Sequence, residues 1–185
     1  MQWKDRSAYV GQHAFLSPSK PYWINWDDDK LIFMYKQAQA AAKGTELHDL
    51  AERLIKLRTP LQKKQLTLNM HVNDAIGYLM KPEQPLVYSN NAFGTTDAIF
   101  FDGKTLRIHD LKTGTIKAKM EQLMAYAAFF CLDYGINPKD IKIELRIYQS
   151  NDIEICHPPA DAIIYIMAQA TRFDRLINKM KEEDG

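Results

Sequence analysis

Cysteine, sustained apolar runs and excess charge are all scarce in this chain, and each scarcity excludes something. Only Cys131 and Cys156 occur among 185 residues. They form no paired motif and no metal-ligand spacing, which suits a reducing compartment. No apolar run approaches the ~20 residues of a membrane span. The start, Met1-Gln2-Trp3-Lys4-Asp5-Arg6, lacks a signal-peptide pattern. The expectation is a soluble, cytoplasmic protein with no membrane partner. The formal net charge is only +1, so this is no strongly basic DNA-coating protein, and any nucleic-acid contact must come from a local patch. Repeats, low-complexity linkers and helicase motifs are also missing. What is present is 46% apolar residues, enough for one folded domain over residues 1–185.

The pattern predicts an α/β fold with a central mixed sheet flanked by helices. Ser17-Pro18 reads as a cap opening a short helix to about Trp26. Asp27-Asp28-Asp29 caps a helix from Lys30 to Lys43, which Gly44-Thr45 breaks and recaps. Leu47, Leu50, Ala51, Leu54 and Ile55 carry the next helix at helical spacing. A weaker helix covers Leu66 to Met80, ended by Pro82 and Pro85. Strands follow at Leu86–Tyr88, Ala98–Phe101 and Lys104–Leu111, the last two joined by the hairpin signal Asp102-Gly103. A helix from Lys117 closes at Gly135. Ile141–Tyr148 and Ile153–Cys156 read as a strand pair, before a last helix from Asp161 to about Lys181.

Four Asp-x-Lys triplets occur, at Asp28, Asp102, Asp110 and Asp140, so the triplet alone says little. Only Asp110-Leu111-Lys112 ends a strand that faces another acid, Asp97, with twelve residues between the two acids. A two-residue turn at Asp102-Gly103 sets Phe101 against Lys104 and Asp97 against Ile108. Side chains alternate with period two, so Asp97, Asp110 and Lys112 share one face. Asp97 and Asp110 are then diagonal neighbours, roughly 7 Å apart or less between Cβ atoms. Two carboxylates so close suit a shared hard cation. The backbone carbonyl of Leu111 offers a further oxygen. Mg²⁺ takes such oxygens, and a bound water would become the nucleophile. Lys112 would orient or deprotonate that water, or offset phosphate charge. The plain alternative is that Asp97 caps its strand while Asp110 and Lys112 form a surface ion pair.

Other residues could join this set. His48 lies beside the apolar stripe of its helix, and as an imidazole ligand it would favour Mn²⁺ somewhat. Alone, it reads as a surface or capping histidine. Glu52, four residues on, is a pairing partner or a competing ligand. Lys119, Gln122 and Tyr126 form a polar ridge that could touch phosphates or brace Lys112; an ordinary helix surface is the competing reading. Tyr22, Trp23 and Trp26 could stack on bases but fit a core better. Lys56, Arg58, Lys63 and Lys64 fit either a DNA backbone or a solvated helix end.

Three segments together resemble the RecB-type branch of the PD-(D/E)XK nuclease superfamily. They are Gly94-Thr95-Thr96-Asp97, Asp110-Leu111-Lys112-Thr113-Gly114 and Gln122-Leu123-Met124-Ala125-Tyr126. Gly44-Thr45-Glu46-Leu47-His48-Asp49-Leu50-Ala51-Glu52 resembles that branch's histidine motif. His13-Ala14-Phe15-Leu16-Ser17-Pro18-Ser19 resembles the N-terminal motif of phage-encoded exonuclease-like members. The resemblance implies a restriction-endonuclease-like core and Mg²⁺- or Mn²⁺-dependent cleavage of DNA. It implies metal binding by His48, Asp97 and Asp110, catalysis by Lys112, and support of site or DNA by Gln122 and Tyr126. Members serve recombination, repair or CRISPR adaptation, which for a phage-encoded chain places it in the bacterial host cytoplasm.

Two cysteines cannot supply the four-cysteine iron–sulfur cluster of some relatives, so no such cluster is expected. Many relatives also carry a glutamate on the strand before Gly-x-x-Asp, and Leu86-Val87-Tyr88-Ser89 has none. The resulting expectation is a DNA exonuclease acting on single- or double-stranded DNA. A structure-specific endonuclease and a non-catalytic DNA-binding or assembly subunit are the alternatives. A recombination or replication partner protein and an oligomer are both compatible with the sequence.

Overall fold

The computed structural model describes residues 14–183; His13, which opens the N-terminal motif, and Met1 to Arg6 lie outside them. Contacts divide the chain into two units, Met1–Lys43 and Gly44–Gly185. In the described part of the first, Phe15 meets Trp26 at 6.0 Å and Tyr35 at 5.3 Å between ring centroids. The Trp23 indole N–H donates to the Ser17 carbonyl at 3.0 Å, while Tyr22 is exposed. The helix expected over 18–26 shortens to a 3₁₀ turn, Pro21–Asn25. Ser17 does not cap it, because its hydroxyl pairs with that of Ser19 at 2.8 Å.

Helix α1, Asp28–Lys56, starts as expected, with Asp27 Oδ1 accepting the Lys30 N–H at 2.8 Å. It runs on through Gly44 and Thr45, contrary to the expected break. Gly44 is buried inside it, and its role is close approach to a neighbour rather than helix termination. Helix α2 covers Thr67–Gly77. Its first turn is capped from far away, by Asn151 Oδ1 accepting the Thr67 N–H at 3.0 Å.

Five strands form one sheet in the order β1-β2-β3-β4-β5. They are β1 Lys81–Ser89, β2 Ala92–Phe101, β3 Thr105–Leu111, β4 Lys142–Gln149 and β5 Asp152–Cys156. The β3–β4 pair is parallel and the others antiparallel, so the sheet is mixed. Helix α3, Glu121–Tyr134, crosses between the parallel strands, and α4, Ala160–Glu183, ends the described fold. Pro82 and Pro85 lie inside β1 rather than ahead of it. β1 is a sheet edge, where a missing N–H is tolerated. Ser150 and Asn151, at φ +52° and +61°, make the two-residue turn between β4 and β5.

The sheet has a core on each side. On one, Ile99, Leu106, Ile108 and Leu145 pack with Leu123, Ala127 and Phe130 of α3 and Ile163 of α4. On the other, Ala98, Leu111 and Tyr148 pack with Ala51 and Ile55 of α1 and Val72 and Ala75 of α2. Alternate residues of β2 and β3 thus serve opposite cores, as period-two geometry requires. Among the described residues no helix is long and apolar enough to cross a membrane.

Candidate metal centre

The β2–β3 register places the acids. Phe101 pairs with Leu106 and Ala98 with His109, so the turn is longer than Asp102-Gly103 alone. Asp102 Oδ1 accepts the N–H groups of Lys104 at 2.9 Å and Thr105 at 2.7 Å, with Gly103 at φ +92°. The shift is even, so faces are kept. One step beyond the Ala98–His109 pair, Asp97 lies across from Asp110, rather than diagonal to it.

Asp97 is held from two directions. Its Oδ2 accepts the Leu111 N–H at 2.7 Å, and its Oδ1 lies 3.3 Å from His48 Nδ1. Burial opposes charge on this carboxylate, yet the His48 hydrogen bond and charge and the Leu111 N–H outweigh it and keep the carboxyl below its ordinary range. His48 is pushed upward by its hydrogen bond to Asp97, against burial, with further help from the charges of Asp97, Asp110 and Glu83. The half-buried histidine therefore faces the acids.

Glu83 completes this group. One ligand atom each from His48, Glu83 and Asp97 lie within 4.8 Å of one another, close enough to hold one cation. Glu83 stands between Pro82, paired with Ala98, and Gln84, paired with Thr96, which puts it across from Asp97. Its φ is +49°, a left-handed backbone that non-glycine residues adopt at a cost of about 1–3 kcal/mol and that concentrates at functional sites. Burial, then the charges of Asp97 and Glu52, push its carboxyl upward. Sequence reasoning missed Glu83 because β1 was expected to begin at Leu86. The signal available was the alternation Glu83, Pro85, Val87 across two prolines, which reads as an edge strand once proline is allowed there.

Asp110 stands beside this trio rather than in it. Its Oδ1 accepts from Lys112 Nζ at 3.1 Å, and Oδ2 lies 3.0 Å from the same ammonium. Oδ2 is buried without a partner in hydrogen-bond geometry. Burial, then the charge of Asp97, push the Asp110 carboxyl up to about 6, against the pull of Lys112. Lys112 Nζ also donates to Gln122 Oε1 at 3.0 Å, so Gln122 braces the lysine. A Cβ at Gly94 would fall 2.8 Å from Tyr126 Cε1. The glycine of Gly-x-x-Asp thus makes room for the tyrosine of Gln-x-x-x-Tyr.

Two expected participants sit elsewhere. Glu52 pairs with Lys56, not with His48. Lys119 is exposed in the segment ahead of α3, which begins at Glu121, so it does not share a helix face with Gln122 and Tyr126. Leu111 engages the site through its N–H to Asp97. Of the basic stretch, Arg58, Lys63 and Lys64 are all exposed, and Arg58 donates to the Ile76 carbonyl at 3.4 Å.

The donor set suits Mg²⁺ or Mn²⁺: carboxylate oxygens dominate, with one imidazole. Crowded carboxylates favour a bound cation over isolation. No protein-family profile, curated protein or solved structure matches this chain, so its chemistry is read from these residues.

Proposed function

We propose that this chain is a Mg²⁺- or Mn²⁺-dependent deoxyribonuclease with a restriction-endonuclease-like core of the RecB type, acting as an exonuclease in phage-type recombination or DNA processing. The observation that carries this reading is the convergence of His48, Glu83 and Asp97 on one point beside the Asp110–Lys112–Gln122 chain. His48, Glu83 and Asp97 would hold the cation, with Asp110 reached on release from Lys112. Bound there, the ion would lower the pKa of a coordinated water and offset phosphate charge.

The chain's own residues do the rest. The Leu111 N–H fixes the Asp97 carboxylate, so this ligand is positioned before any ion arrives. Gln122 holds Lys112 at the edge of the acids, where an ammonium can orient water or meet a phosphate oxygen. Asp110 and Lys112 occupy adjacent points of one strand end, so a proton or charge moved at one is felt at the other.

The test is cleavage of end-labelled single- and double-stranded DNA, linear and circular, with Mg²⁺ or Mn²⁺. Asp110→Ala should lower the rate at least about a hundredfold while DNA binding persists. Wild-type protein inactive with every divalent ion would refute the nuclease reading, and equal cutting of circular DNA would refute the exonuclease one.

A further inference from the structure

The last helix carries a second surface. Between α3 and α4 lies a groove of about 760 Å³, to which the metal centre contributes no residue. Its floor is apolar: Leu132 from α3, with Ile164, Met167 and Leu176 from α4. Its rim is Arg172, Arg175 and Lys179, and no acidic residue lines it.

These cations are only lightly engaged. Arg172 donates to Gln169 at 2.7 Å and lies over the Phe173 ring at 4.6 Å. Lys179 meets Glu183 at 3.6 Å in an exposed pair, worth little in water. Arg175 pairs with no carboxylate among the described residues. By contrast, the side of α4 bearing Asp174 is tied down: Asp174 accepts from Ser89 at 2.5 Å and from Asn91 at 2.8 Å. The helix is therefore anchored along one side, while its basic row makes only local contacts within α4.

We infer that this groove docks an acidic peptide segment of a partner protein, its apolar side chain seated on Leu132, Ile164 and Met167 and its carboxylates on Arg172, Arg175 and Lys179. Charge complementarity chooses the occupant. An arginine row with no opposing acid selects carboxylates, in which bidentate pairing is available. The open apolar floor offers contact to a hydrophobic side chain, which a nucleic-acid backbone lacks. Recognition of acidic motifs by arginine clusters beside an apolar anchor site is an established mode of peptide capture.

The probe is a fluorescein-labelled synthetic peptide of aspartates and glutamates around one leucine and one phenylalanine, titrated with the full chain and followed by anisotropy. Binding should weaken with salt. It should fall at least about tenfold for Arg172→Glu with Arg175→Glu, and shift the methyl resonances of Leu132, Ile164 and Met167. The same peptide with glutamines for its acids, or with serines for its two apolar residues, should bind at least about tenfold more weakly to the wild type; these controls need no variant to fold. The proposal is overturned if the acidic peptide does not bind at millimolar concentration, if either control peptide binds as well, or if oligothymidylate displaces it from these residues. Self-association that buries this groove at assay concentrations would equally overturn it.

Discussion

Replacing Gly44 by alanine tests how α1 is seated against the loop after β3. A Cβ built at Gly44 falls 2.8 Å from Thr113 Oγ1 and 4.0 Å from Thr113 Cβ. Ordinary contact begins at 3.4 Å, so the exposed Thr113 side chain, its loop or the helix must give by about 0.6 Å. Two effects oppose each other. Alanine favours a helix interior over glycine by about 0.5–1 kcal/mol. Overpacking disfavours it by about 1–3 kcal/mol. The crowding should win, and Gly44→Ala alone should destabilise by about 1 kcal/mol, the difference between the two. In a Thr113→Ala background the obstructing oxygen is gone and the helix effect alone remains. There Gly44→Ala should stabilise by about 0.5–1 kcal/mol. The two changes should thus couple by about 1–3 kcal/mol in a double-mutant cycle. Urea denaturation reads this as midpoint shifts at constant slope. Equal stabilisation in both backgrounds would refute the close approach, and with it the account of why a glycine sits inside α1. His48 lies one turn further along the same helix, so Mn²⁺ affinity should fall in Gly44→Ala and recover in the double variant.

Three more expectations follow from the same geometry. Glu83→Gln should weaken Mn²⁺ binding by calorimetry at least about tenfold with the fold intact, as loss of a charged ligand requires; unchanged affinity would remove Glu83 from the centre. Gly94→Ala should destabilise by about 1–3 kcal/mol, since the Tyr126 ring, 2.8 Å from the new carbon, is rigid; Tyr126→Leu should relieve it, and a tolerated Gly94→Ala in the wild type would show that the ring is not locked there. His71 is buried with neither ring nitrogen bonded, and burial lowers its pKa from 6.5 to about 4. The unfolded chain therefore binds the proton first, so stability is intact above pH 6.5 and falls as pH drops from 6.5 towards 4. The fall is about 1.4 kcal/mol per pH unit, or about 3 kcal/mol in all. His71→Leu should flatten that limb in denaturation measured across the window, and an unaltered slope would show that His71 is not the group responsible.

Much of the scaffold was legible because its signals are local. Gly135 ended α3 where a left-handed cap was expected, at φ +64°. The strand pair around Ser150-Asn151 and the α/β order followed from alternation and turn residues. The errors also have local causes. Gly44-Thr45 looks like a stop followed by a cap, and only the nearness of Thr113 shows what the glycine is for. Pro82 and Pro85 look like the end of a helix, and only the edge position of β1 makes them acceptable strand residues. Lys119 was placed on α3 because helix starts drift by a turn when no capping side chain marks them, and none caps Met120.

The sequence by itself supported a shared face for Asp97, Asp110 and Lys112 on the condition that the hairpin loop is of even length. Strand periodicity is two, so any even change in loop length leaves that parity untouched, and the longer Asp102 turn changed only which acids stand opposite. Tertiary structure alone decided that Glu83 joins Asp97, and it supplied the contacts of His48 with Asp97 and of Lys112 with Asp110 and Gln122 that the resemblance and the polar ridge only suggested. Those meetings depend on the path of α1, an edge strand and a loop through space. Contacts between segments far apart in the chain leave no period in the sequence from which to read them.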